Sequence, residues 1–250
     1  MELTSATVAL GLVVLLAFTV EAALGFGATI VTVTLGALVL PVDQILPAFV
    51  PLNVVLSLAL TWSNRRHVRR DLLWRRIVPL MALGLPFGML AFARLDAGFL
   101  VRVYGVFVVV LAALELARAV RRSTVAEAPH DRPYGAFERI ILVLGGVVHG
   151  AFGTGGPMVV YVSGRLLTDK AEFRATLSAL WLLLNVVLLA SYALGHRLDG
   201  DSALLTAVLA PMLAAGLVVG NVLHHRIPAE RFRRVVFTML AVAGAVLALR

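Results

Sequence analysis

Cysteine is absent from the chain, which excludes disulfides and thiolate metal sites. That absence leaves the compartment open. Charge is scarce: Asp, Glu, Lys and Arg make up 14% of the residues, where a soluble domain carries about a quarter. Lysine is nearly missing, since all but one of the 22 Lys+Arg are arginine and Lys170 is the exception. No cationic stretch precedes the first apolar run, only Glu2. A cleaved signal peptide is therefore not expected, and the first helix is expected to stay. Enzyme signatures are missing too. There is no His-Glu-x-x-His, no Gly-x-Ser-x-Gly, no phosphate-binding loop and no carboxylate cluster. The expectation is a non-enzyme without cofactor or metal. Lacking a nucleotide-binding domain, the chain alone is not expected to pump with ATP.

Hydrophobic residues fill the space that charge leaves, at 60% of the chain with a mean hydropathy of +0.96. Apolar segments fall at 5–23, 28–40, 45–63, 77–93, 99–117, 138–151, 157–167, 175–194, 203–223 and 235–249. Several approach the roughly 20 residues that one bilayer crossing needs. Runs such as Val106-Phe107-Val108-Val109-Val110-Leu111 do not alternate, which argues against a β-barrel. The fold class expected is an all-α polytopic membrane protein. The net charge of +8 does not argue for nucleic acid, because the basic residues sit in short loops between spans.

Two glycine-broken segments lie deep inside the apolar runs. The first reads Glu21-Ala22-Ala23-Leu24-Gly25-Phe26-Gly27-Ala28, the second His149-Gly150-Ala151-Phe152-Gly153-Thr154-Gly155-Gly156-Pro157. Glycines and proline there interrupt a helix and free backbone N–H and C=O groups. In hydrocarbon such groups must find partners, so a broken helix at membrane depth lines a cavity or a binding site. The segments at 28–40, 138–151 and 157–167 are too short to span comfortably. Residues 5–40 and 138–167 are read as two hairpins, made of half-helices or of one full and one short helix.

The two halves are related. An offset of 128 superposes Glu21 on His149, Gly25 on Gly153 and Gly27 on Gly155. Further on, an offset of 132 places Asn53-Val54-Val55-Leu56 on Asn185-Val186-Val187-Leu188, Gly84 and Gly88 on Gly216 and Gly220, and Arg102 on Arg234. Collinearity carries the repeat, since each match is weak in so apolar a sequence. The expected division is a first repeat at 1–120, a cytoplasmic linker at 121–137 and a second repeat at 138–250. If each broken segment enters and leaves on one side, the loops at 65–76, 118–139, 165–174 and 226–234 share a face and hold 18 of the 22 basic residues. A single crossing of 138–167 splits them 13 to 9. The positive-inside rule prefers the first arrangement, with the basic loops cytoplasmic and the halves inverted.

In an inverted-repeat transporter the breaks meet near the midplane, where half-helix N-termini present N–H groups and partial positive charge to an anion. The expected substrate-binding set is Gly25, Phe26 and Gly27 in the first break and Gly153, Thr154, Gly155, Gly156 and Pro157 in the second. Pro157 suits a first helical position, having no N–H to leave unpaired. The plainer reading of the glycines is close helix packing. Asn53 and Asn185 join the set as buried amides that contact a ligand or bridge helices. Glu21 and His149 are candidates for carrying coupling protons, because an ionisable group in a span is functional by default and imidazole titrates nearest neutrality. Alternatively Glu21 reaches a wet interface and His149 bonds a helix carbonyl. Gly84-x-x-x-Gly88 and Gly216-x-x-x-Gly220 read as packing faces. Arg102 and Arg234 read as snorkelling side chains, and Trp62, Trp74 and Tyr104 as interfacial anchors, with Trp181 and Tyr192 as further candidates.

Gly-Ala-Phe-Gly-Thr-Gly-Gly-Pro at 150–157, the following Lys170-x-x-Phe173-Arg174-x-Thr176, the first glycine pair and the late Gly216-x-x-x-Gly220 together resemble the TauE/SafE sulfite exporter family (TSUP). The resemblance covers nearly the whole chain and its two-half arrangement. Ala28-Thr29 departs from the Gly-Pro of the second half. What the resemblance implies is a bacterial- or archaeal-type integral membrane transporter of small anions, such as sulfite and organosulfonates like sulfoacetate, seated in a cell (inner) membrane. It does not fix the substrate. The leading expectation is a secondary transporter of a small sulfur-containing or carboxylate anion, working outward. An anion channel, or a non-transporting membrane subunit that anchors a partner complex, are the alternatives.

Overall fold

The computed structural model describes residues 5–122, 135–167, 169–226 and 229–249. Residues 123–134 of the expected linker lie outside the described residues. The main helices are α1 (Ser5–Leu24), α2 (Ala28–Gly36), α3 (Val42–Ser63), α4 (Arg70–Arg94), α5 (Ala97–Arg122), α6 (Ala136–Phe152), α7 (Gly156–Leu166), α8 (Lys170–Leu194), α9 (Gly200–Arg226) and α10 (Ala229–Leu249). No strand occurs among the described residues. Six of these helices are long and apolar enough to cross a membrane: α1, α3, α4, α5, α8 and α9. Leu12, Leu83, Phe87, Val106, Val186 and Val218 lie exposed on them. A soluble protein would carry charge there; lipid accepts such a surface.

Each hairpin pairs a longer helix with a short one. α1 has 20 residues and α2 has 9, while α6 has 17 and α7 has 11. The short members end where they do for local reasons. α2 closes through the Leu38, Val39 and Leu40 N–H groups, which turn back onto Leu35 and Gly36 carbonyls ahead of Pro41. In α4 a wider π turn at Leu73–Ile77 precedes Pro79. Proline removes an N–H and crowds the carbonyl four residues back, so a local widening there has an identifiable cause. Asp199 caps α9 by accepting from the Ser202 N–H at 2.8 Å. That bond and the Ser202 hydroxyl hold its carboxyl below the usual aspartate range.

Glycines set the closest helix contacts. A Cβ at Gly84 or Gly88 of α4 would collide with the Val143 or Val147 carbonyl of α6. A Cβ at Gly216 of α9 would sit 3.0 Å from the Leu15 carbonyl of α1, and one at Gly220 would sit 2.6 Å from the Thr19 carbonyl. Leu15 and Thr19 map onto Val143 and Val147 by the offset of 128, and the glycines map by 132. Positions that the two offsets equate therefore make equivalent packing. α3 against α8 and α5 against α10 complete the assembly, which brings both breaks to the centre.

Contacts between the 65–76 segment and the start of α8 tie the two halves together. The Arg69 N–H donates to the Thr176 hydroxyl at 3.0 Å. The Arg69 guanidinium donates to the Glu172 carboxylate at 3.1 Å. That ion pair stabilises the charged form of Arg69 further, although its exposure keeps its energetic worth small.

Candidate functional site

Helix α1 ends at Leu24 because Gly25 turns left-handed, with φ of +85°. Its N–H bonds the Glu21 carbonyl at 2.7 Å. In the second half Gly153 has φ of +67°, and its N–H bonds the His149 carbonyl at 2.7 Å. Both are glycine caps at positions that a side chain would strain. α2 then begins at Ala28 and α7 at Gly156, the residues paired by the offset of 128. Pro157 is thus the second residue of α7 rather than the first. The shift is harmless, because the whole first turn lacks intrahelical acceptors.

The two ionisable groups bend back onto the breaks they precede. Glu21 is 3% exposed, so it does not reach a wet interface. Its Oε2 accepts from the Ala28 N–H at 3.0 Å. The protein's own carboxylate thereby occupies the positive end of α2. His149 accepts at Nδ1 from the Gly155 N–H at 3.3 Å. The neutral ring in this arrangement carries its proton on Nε2 and offers it as a donor. That histidine bonds a backbone N–H of the break, not a helix carbonyl.

Between the breaks lies one small cavity. Of the expected residues, Glu21, Gly27, Asn53, His149, Gly153, Thr154, Gly156 and Asn185 line it. Gly25, Phe26, Gly155 and Pro157 do not. Gly25 lies under the Arg174 side chain, Gly155 lies against the Gly145 carbonyl, and Phe26 stands beside Trp181 over Gly156. Thr29 and Trp181 also line the cavity. The Asn53 amide donates to the Thr29 hydroxyl at 3.1 Å. Trp181 stacks on His149, with ring centroids 5.9 Å apart.

Several buried polar atoms around this cavity lack a well-formed hydrogen bond: Asn53 Oδ1, His149 Nε2, Trp181 Nε1 and both amide atoms of Asn185, although the His149 ring and the Asn185 amide lie close enough to interact. Each such group costs about 1–3 kcal/mol when left unsatisfied. Native structures hold few of them, and a cluster calls for a missing partner. Three of these atoms are donors, an indole N–H, an imidazole N–H and an amide NH2, and two are amide oxygens.

The aromatic residues divide differently from the sequence expectation. Trp62 and Trp74 are exposed, as anchors must be. Tyr104 is not an anchor: it is 1% exposed, and its hydroxyl lies 3.4 Å from both the Thr34 hydroxyl and the Ile30 carbonyl. Tyr192 and Trp181 are buried as well. Trp181 was legible in one respect, since it precedes Asn185 by four residues and so shares its helix face. Thr29 carried no signal apart from following the first break. Arg102 and Arg234 are exposed near helix ends, as snorkelling requires.

No curated protein and no solved structure matches the chain. A family does. The sulfite exporter TauE/SafE family matches residues 10–247, a span that contains both glycine breaks, the cavity between them and nearly every helix that builds it. With a match over almost its whole length, the chain belongs to the TauE/SafE sulfite exporter family.

Proposed function

We propose that the cavity between the breaks holds a small anion during secondary transport, and that sulfite, an organosulfonate or a related small carboxylate is the cargo. Family membership carries the coarser part: a multi-pass membrane transporter of the sulfite or anion exporter type, in a family of transporters rather than enzymes. The finer part rests mainly on one observation, the cluster of unpartnered buried donors at Trp181, His149 and Asn185 around the N-terminus of α7. A tetrahedral or pyramidal oxyanion accepts from several directions at once, so it meets such a cluster better than water does. Thr154 and the Gly156 N–H complete the donor set from the break itself. The small cavity suits a compact anion.

Glu21 supplies the coupling logic in this reading. Its carboxyl lines the same cavity, and two negative charges at such range in a low dielectric repel strongly. Anion occupancy and a proton on Glu21 therefore go together. His149 remains a second candidate for a coupling proton, through Nε2. The two halves are taken as inverted across the membrane, with the basic loops cytoplasmic.

The test is reconstitution of the purified chain in liposomes with sulfite, sulfoacetate, taurine, thiosulfate and sulfate as cargoes. Saturable, gradient-coupled flux of a sulfur oxyanion or sulfonate is expected. Flux that rises without saturation identifies a channel instead. Absence of flux for every cargo, from protein shown to be inserted, sinks the reading and favours an anchoring subunit.

A further inference from the structure

Helix α8 carries a polar stripe that the cavity does not use up. Arg174, Ser178, Trp181 and Asn185 follow one another at spacings of four, three and four residues, so they share one face of the helix. Trp181 and Asn185 reach the cavity. Arg174 lies about 10–16 Å from them along the axis, at 1.5 Å per residue, toward the end tied to Arg69 and the basic loops.

Arg174 is a cation in an unusual position. Its side chain packs across Gly25, where a Cβ would stand 3.4 Å from its Cγ. Its Nε is buried without a hydrogen-bond partner. One terminal nitrogen reaches the Asn221 amide oxygen of α9 at a long 3.5 Å. No ion pair to a described carboxylate involves it, whereas Arg69 nearby has two. Gly25 leads directly to Phe26, which with Trp181 flanks Gly156 at the cavity. A half-buried guanidinium with an unpartnered Nε therefore packs on Gly25, two residues before Gly27 of the cavity wall.

The other half of the repeat differs. The offset of 132 equates Arg174, Ser178 and Trp181 with Val42, Leu46 and Phe49 of α3. All three are buried, and Phe49 stacks on Phe18 with centroids 5.2 Å apart. Only Asn53 keeps the polar character of its counterpart Asn185. The face of α8 that leads from Arg174 to the cavity is thus polar, and the equivalent face of α3 is apolar.

We propose that Arg174 is the anion-capturing residue at the basic-loop mouth of the site, handing the anion along the Ser178 and Trp181 face of α8 to the cavity. This rests on the anion-transport reading above and adds the side from which the cavity is reached. Guanidinium binds oxyanions with charge-assisted, often bidentate hydrogen bonds, and Arg174 has donors to spare.

The experiment measures sulfite flux in liposomes, with KM and maximal rate read separately. Arg174→Gln is expected to raise KM about tenfold, the range of a lost charged hydrogen bond, and to spare the maximal rate. Arg174→Lys should raise it less. The Cys-free background permits a charge-specific readout. Arg174→Cys should regain a low KM when alkylated with cationic bromoethylamine, but not with anionic iodoacetate; both leave thioethers, which sulfite does not cleave. The anionic reagent, which crosses lipid poorly, should react only from the basic-loop side. Should these variants fail to insert, Asn221→Asp at an exposed position sets a carboxylate on the guanidinium and should also raise KM. An unchanged KM in Arg174→Gln or Asn221→Asp, equal effects of the two reagents, or labelling from the opposite face overturns the proposal while leaving transport standing. A wild-type protein without saturable flux of any of the five cargoes removes the transport reading itself.

Discussion

At the scale of single residues, the cavity owes its character to the polar atoms left over after its side chains have bonded one another and the two breaks. Thr154→Val keeps the shape of the side chain and deletes one hydroxyl. If that hydroxyl bonds the anion, affinity should fall by about 1 kcal/mol, roughly fivefold in Kd, measured by titrating sulfite onto purified protein. An unaltered Kd removes Thr154 from the binding set. Glu21 gives a second expectation. Because its carboxylate faces the cavity and caps α2, binding an anion should take up a proton, and affinity should decline as pH rises. Glu21→Gln still lines the cavity but cannot ionise, so its affinity–pH curve should be flatter than that of the wild type. The other titratable groups nearby are His149, which lines the same cavity, and Arg174, which packs on Gly25. His149→Gln is the control. If it flattens the curve and Glu21→Gln does not, His149 carries the proton.

At the scale of elements, two helix pairs are held by the same device. α4 meets α6 through Gly84 and Gly88, and α9 meets α1 through Gly216 and Gly220. Helix association in a bilayer depends on close packing more than on the hydrophobic effect, which lipid cancels. Gly88→Val and Gly220→Val should each push backbones apart and destabilise by about 1–3 kcal/mol, as overpacking does. A thermal-melt comparison in detergent reads it, and the repeat expects the two losses to be similar. A large loss at one site with none at the other would break the equivalence. The packing role of these glycines was legible from spacing alone. The roles of the glycines in the breaks were not, because φ at Gly25 and Gly153 depends on how the chain leaves the helix.

At the scale of the whole molecule, the arrangement makes a prediction about sides. Single cysteines at Arg69, Arg231 and Asp199 in this Cys-free chain should label from two faces, with Arg69 and Arg231 together and Asp199 opposite. An impermeant thiol reagent applied to oriented vesicles reads this directly. Labelling of Arg69 and Arg231 from opposite faces removes the inverted arrangement, since each then belongs to a different membrane side. The Arg69 contacts with Thr176 and Glu172 already join the 65–76 loop to the start of α8, which requires those two segments to share a face.

Sequence alone determined the helical class, the two breaks, the collinear repeat and eight of the residues that line the cavity. Those properties are local or periodic: hydropathy over about 20 residues, glycine and proline inside an apolar run, and offsets that persist along the chain. Tertiary structure alone decided which polar atoms stay unpartnered. Trp181 looks like an interfacial anchor until the packing of α8 turns it onto His149, and Tyr104 looks like one until α5 buries it. The carboxylate of Glu21 could have faced water, ligand or backbone, and only the path through Gly25 and Gly27 brings the Ala28 N–H to it. Arg174 reads as one more basic residue in a basic loop. Its place over Gly25 follows from how α8 crosses the first break, a contact between residues about 150 positions apart that no periodicity encodes.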